Sequence, residues 1–110
     1  MANPRDIVFV NFPGAVQTKP RPLVVVSTDI YHRARPDVIL ALLTTDVKRA
    51  IAQTDYILQD WASAGLHHPT AFRAYLGTSD HRDIITTFGR LSDRDWAEVQ
   101  ARLQIALAVT

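Results

Sequence analysis

Two short runs of uninterrupted apolar residues, Leu23–Val26 and Val38–Leu43, do most to limit the folds open to this chain. Neither alternates apolar with polar residues, so each is predicted to be a strand buried on both faces. Neither is long enough to span a membrane. Between them lies only the polar segment Asp29–Arg35, predicted as a turn or short helical loop.

The other elements follow from the same reading. Asp6–Phe12 is rich in β-branched and aromatic residues and predicts a first strand. Pro13-Gly14 ends it, and a loop runs on through Pro20. The second strand is Pro22–Ser27, with Pro22 at its head, where a missing N–H does least harm. The third is Val38–Thr44 and the fourth, shorter, is Thr54–Leu58. Trp61–Gly65 reads as one helical turn closed by its glycine. Pro69–Tyr75 and Asp83–Phe88 read as two further strands. The last element is the clearest. Ser92 caps a helix with Asp95 three residues on, and Trp96, Val99, Leu103, Ala106 and Leu107 fall at helical spacing. The sum is one domain over residues 1–110, mainly β (α+β): a small antiparallel barrel of five to six short strands with a C-terminal helix. Strand–helix–strand alternation is missing, which argues against a Rossmann-like sheet.

Composition excludes several functions. With no cysteine there is no disulfide, thiolate nucleophile or Cys-based metal site. No phosphate-cradling glycine loop or Gly-x-Ser-x-Gly element is present, so no cofactor is expected. His67 and His68 are adjacent and make a poor chelate in extended chain, so no metal site is assigned. The polar N-terminus has no apolar signal core, which predicts a soluble, cytoplasmic protein with no membrane partner. The net charge of +1 is uninformative, but its distribution is not. Lys19, Arg21, Arg33, Arg35, Lys48 and Arg49 face only Asp29, Asp37 and Asp46 in the same stretch, a cluster on which a polyanion can dock.

One constellation is more specific. Asp6-Ile7-Val8 is followed by Gly14, Gln17 and Arg21-Pro22 at the head of an apolar strand, and a second apolar strand ends in Thr44-Thr45. Asp29, Tyr31 and Arg33 follow the second strand, and Gly89-Arg90-Leu91-Ser92 precedes the terminal helix. This pattern resembles the MazF/PemK toxins. The resemblance implies an SH3-like barrel, a homodimer, and cleavage of single-stranded RNA at a short sequence. It also implies a cognate antitoxin whose acidic, flexible tail covers the RNA groove. Arg21 and Thr44 stand where the family has its catalytic pair, and Gln17, Lys19, Thr45 and Arg73 are the candidate RNA-binding residues.

The chemistry suits these residue types. Attack of a ribose 2′-OH on its phosphate needs charge on the phosphorane stabilised and the leaving 5′-oxygen protonated. Arg21 supplies a planar fork of charged donors matched to phosphate oxygens. A guanidinium is a poor base, so its expected role is electrostatic. Thr44 can donate one hydrogen bond. On residue type alone, Arg21 reads equally well as half of a surface ion pair, and Thr44 reads better as a strand-end threonine serving the backbone. No His or carboxylate cluster has ligand spacing, so cleavage is expected to be metal-independent. Two departures matter. Ala15-Val16 stands where many relatives carry Ser-Glu, and Arg73-Ala74-Tyr75 replaces an Arg-x-Asp triplet of some relatives. Either predicts reduced activity or altered sequence preference. The competing functions are a gyrase-poisoning toxin of the CcdB kind and a non-catalytic binding module on the same barrel.

Overall fold

The computed structural model describes residues 2–10 and 21–109. Six strands form one antiparallel sheet: β1 (Asp6–Val10), β2 (Arg21–Val25), β3 (Asp37–Thr44), β4 (Tyr56–Ile57), β5 (Ala71–Asp80) and β6 (Ile84–Arg90). Their order across the sheet is β4-β5-β3-β2-β1-β6. The mainly β architecture with a C-terminal helix is as expected, but the sheet is not closed, and β4 and β6 are its edges. A short helix, α1 (Asp29–Ala34), links β2 to β3, and α2 (Asp93–Ala106) ends the chain. No helix among the described residues is long and apolar enough to cross a membrane.

The two apolar runs became β2 and β3 at the centre, buried on both faces. Alternation sends their residues into two cores. One face packs Ile7, Val24, Ala41, Leu43 and Phe72 with Leu91 and with Val99 of α2. The other packs Val8, Val10, Leu23, Val25, Val38 and Leu40 with Ala2.

The predicted cap of α2 is present: the Ser92 hydroxyl accepts the Asp95 N–H at 3.2 Å. The Asp95 carboxylate does not reach back toward Ser92. It is fully buried and accepts from the Tyr56 hydroxyl at 2.6 Å, the Gln59 N–H at 3.0 Å and the Asp60 N–H at 2.8 Å. One side chain thus ties α2 to the segment after β4.

Trp61–Gly65 makes the expected single helical turn closed by its glycine: the Ala64 N–H donates to the Asp60 carbonyl at 3.1 Å, the Gly65 and Leu66 N–H groups turn back to the Ala62 and Trp61 carbonyls at 3.1 Å each, and Gly65 takes the left-handed conformation (φ +95°). The bounds of one strand needed correction. The predicted strand Pro69–Tyr75 starts later and runs on to Asp80. Gly77, Thr78 and Ser79 resemble turn residues, but they pair with Leu40, Ile39 and Val38 of β3, whose backbone groups need partners.

Candidate active site

The paired strands β2 and β3 set the geometry of the site. Their register matches Leu23 with Leu42, Val24 with Ala41 and Val25 with Leu40. Continued by two residues, it places Arg21 at the head of β2 opposite Thr44 at the end of β3. Cross-strand partners share a face, so both side chains project from the face that carries Leu23, Leu40 and Leu42. The link between them is the sheet, which has a rigid, well-packed centre.

Arg21 is exposed, and among the described residues no carboxylate pairs with it. It borders a cavity of about 170 Å³ lined also by Leu23, Leu40, Leu42, Tyr75 and Gly77. A guanidinium beside apolar walls keeps its charge in a less screened setting than open water. Thr44 is half-buried, and its hydroxyl oxygen accepts the Asp46 N–H at 3.1 Å. That bond fixes the oxygen and leaves the hydroxyl proton free to donate. Serving the backbone and contacting a substrate are therefore compatible roles for Thr44.

Arg73 joins the same face, because it pairs with Leu42 across β3 and β5. It is not a simply solvated strand residue. Its Nε lies 3.4 Å from Oδ1 of Asp55, whose side chain is 4% exposed. The acidic partner that Tyr75 cannot provide thus comes from the β3–β4 connection. Arg73 and Asp55 border a second cavity, of about 400 Å³, with Leu42, Ala52, Thr54 and Tyr75.

The other candidates do not gather there. Thr45 points to the opposite face and lines a cavity with Pro22, Gly65, His67, His68 and the stacked rings of Phe9 and Phe88. Gln17 and Lys19, with Gly14 and Val16 of the same loop, lie outside the described residues. The basic cluster also divides. Arg35 binds Asp37 at the start of β3, at 2.8 Å, whereas Arg21 is at the far end, so about 23 Å of strand separates them. Arg49 pairs with Asp46 at 3.2 Å in the short 3₁₀ turn Val47–Arg49. Proximity in sequence overstated a single basic face.

Sequence reasoning missed Asp55 and undervalued Tyr75. Asp55 sits 18 residues from Arg73, in a segment with no periodicity, and nothing in the sequence marks it as a partner. Tyr75 carried one usable signal, a large aromatic among polar and small residues at a site where an acidic residue was expected.

No curated protein sequence matches the chain. Solved structures do. The chain is similar to an endoribonuclease in complex with its cognate antitoxin from a mycobacterial species, at 17% identity and TM-score 0.83, covering 100% of this chain and 98% of that one. It is similar to the MazF of a MazE–MazF structure from Deinococcus radiodurans, at 19% identity and TM-score 0.77, over 99% and 98% of the two chains. The Mycobacterium tuberculosis toxin MazF-mt6 matches at 19% identity and TM-score 0.73, over 93% and 95%. At such identities these structures establish a shared fold. A family model goes further and matches residues 3–107, nearly the whole chain. By that match this chain belongs to the PemK-like, MazF-like toxins of type II toxin–antitoxin systems.

Proposed function

We propose that this toxin is an endoribonuclease that cuts single-stranded RNA by attack of the ribose 2′-OH on the adjacent phosphate. The observation that carries this reading is the register of the β2–β3 ladder, whose continuation sets Arg21 and Thr44 on one face at one end of the central strand pair. In the step proposed, the 2′-oxygen forms a bond to phosphorus and the bond from phosphorus to the 5′-oxygen breaks. The 2′-OH loses its proton and the leaving oxygen gains one. The products are a 2′,3′-cyclic phosphate and a 5′-OH. Arg21 faces the charge that builds on the phosphorane oxygens, and the Thr44 hydroxyl donates to one of them. The nucleophile is the substrate's own hydroxyl, so the step calls for no metal-activated water.

The matched structures described as endoribonucleases support this reading. Structures of such toxins with an antitoxin likewise support a protein partner for this chain. We assign that partner an acidic, flexible segment, because a guanidinium poised for phosphate also attracts carboxylates. By the same family likeness the working form is a homodimer in the cytoplasm.

The test is to incubate the purified protein with a long single-stranded RNA in EDTA and to identify the new ends by mass spectrometry. Cyclic phosphate and 5′-OH ends are expected. Cleavage abolished by EDTA and restored by Mg²⁺, or 5′-phosphate ends, would contradict the proposed step.

A further inference from the structure

Tyr75 is 74% exposed, an unusual state for a tyrosine at the centre of a cleft. It lines both cavities on the Arg21 face and so stands between Arg21 and Arg73. Its placement follows from a break in the β3–β5 ladder. Ala41 pairs with Leu76 and Leu42 pairs with Arg73, so Ala74 and Tyr75 have no partners on β3. Bulges of this kind re-aim a side chain and recur beside functional sites.

Arg73 is held in place from beneath. Oδ1 of the buried Asp55 takes its Nε, and Oδ2 is anchored by the Ala52 N–H at 3.1 Å. The terminal Nη groups of Arg73, whose side chain is 43% exposed, have no acceptor among the described residues. The Arg21 and Arg73 backbones are two strands and two residues apart, about 12 Å at ~4.8 Å per strand and ~3.3 Å per residue. An aromatic face between two cations can stack one base of a single strand while the long arginine side chains reach phosphates on either side of it. Stacking on a ring accepts any base, and a guanidinium on each side takes the flanking charge.

We propose that Tyr75 is the stacking platform for one base of the RNA next to the cut, and that Asp55 positions Arg73 to hold the neighbouring phosphate. This rests on the ribonuclease reading of Arg21. Asp55 is a positioning residue, since it acts on the substrate only through Arg73.

The experiment measures two things on the same preparations. One is the anisotropy of a fluorescein-labelled, fully 2′-deoxy-substituted single strand of mixed sequence, which cannot be cut. The other is kcat and KM on the cleavable RNA. Tyr75→Ala should weaken binding about 5- to 100-fold and raise KM more than it lowers kcat, the range expected for one lost stack. Tyr75→Phe should recover most of that affinity and Tyr75→Leu should not, which separates a ring face from mere apolar bulk. Asp55→Asn should raise KM and flatten the dependence of log affinity on log salt, as should Arg73→Ala. Wild-type affinity and KM in Tyr75→Ala would overturn the proposal, as would equal recovery by Leu and Phe. So would loss of binding that merely tracks a change of oligomeric state in sedimentation, because the face would then seat a second copy of the chain. A wild type that binds the strand but never cuts RNA would defeat the ribonuclease reading, while the Tyr75 series would still decide the platform.

Discussion

The Tyr56 hydroxyl donates to the Asp95 carboxylate at 2.6 Å, across 39 residues of chain, in a site closed to solvent. The same carboxylate takes two backbone N–H groups, from Gln59 and Asp60. Asp95→Ala leaves these three donors without a partner, each at a cost of about 1–3 kcal/mol. The expected loss is about 3 kcal/mol or more, which lowers the melting temperature by roughly 12 °C or more for a domain this size. Thermal melting of the variant checks this, and a shift of only a degree or two would show that water replaces the lost acceptor.

Gly89 is needed because another backbone comes too close. A Cβ there would lie 1.8 Å from the carbonyl oxygen of Ala64, while β6 is held by pairing of Gly89 with Ile7. Gly89→Ala must push the turn before Gly65 away from the sheet, and overpacking of that kind costs about 3 kcal/mol. At Gly77 an added methyl meets nothing within 4 Å, so Gly77→Ala should melt at the wild-type temperature or slightly above it. Equal melting of the two variants would contradict the contact at Gly89.

Much of the fold was legible, for a simple reason. Burial on both faces is written directly into Leu23–Val26 and Val38–Leu43, and the cap and apolar stripe of α2 are local patterns. Setting Arg21 opposite Thr44 needed more than their spacing, because it follows from the register of the β2–β3 ladder continued by two residues. The extension of β5 through Gly77–Ser79 was hidden because demand for partners along β3 overrode local turn preference. Asp55 and the three acceptor bonds of Asp95 were hidden because a carboxylate's partner in space leaves no trace in periodicity. Arg33 and Arg35 were misjudged for the converse reason: neighbours in sequence, they are carried to the far end of β3.

Acid should weaken the fold in two separate windows. His32 is buried, its Nε2 is 2.5 Å from the Ser27 hydroxyl, and its Nδ1 and the Nε2 of the neighbouring His81 have no partner among the described residues. Burial and then repulsion from His81, opposed by Asp29, lower the His32 pKa below its ordinary 6.5. Above that value both folded and unfolded chains hold it neutral. As pH falls below about 6.5 the unfolded chain gains a proton that the folded one resists, so stability declines. Asp60 is held down to about 2, from 3.8, by its hydrogen bond with Arg94 and then that with Ser92. Its contribution is therefore present above about 3.8 and is lost as pH falls toward 2. Melting temperature followed from pH 8 to pH 3 should decline first below 6.5 and again below 4. His32→Gln should flatten the first decline and Arg94→Ala the second; a first decline that survives His32→Gln would remove His32 as its cause.

The assignment of Arg21 and Thr44 makes the sharpest demand, because activity and stability must come apart. Arg21 is exposed and Thr44 only half-buried, at the open end of the strand pair, and neither belongs to a core. Arg21→Ala should change stability by no more than about 0.5–1 kcal/mol, as for most surface changes. Loss of a charged, preorganised donor should nevertheless slow cleavage about 100-fold or more. Arg21→Lys should recover only part of the rate, since a point charge lacks the planar fork. Thr44→Val keeps the shape but removes the proton that faces the phosphate, along with the acceptor for the Asp46 N–H. It should lower the rate by a smaller factor, because a neutral hydroxyl gives a weaker bond than a guanidinium. Cleavage and melting are measured on the same preparations. Wild-type cleavage by Arg21→Ala would remove it from the mechanism and favour a binding module on the same fold. Loss of activity that comes with unfolding would make Arg21 structural, because the head of β2 would then depend on it.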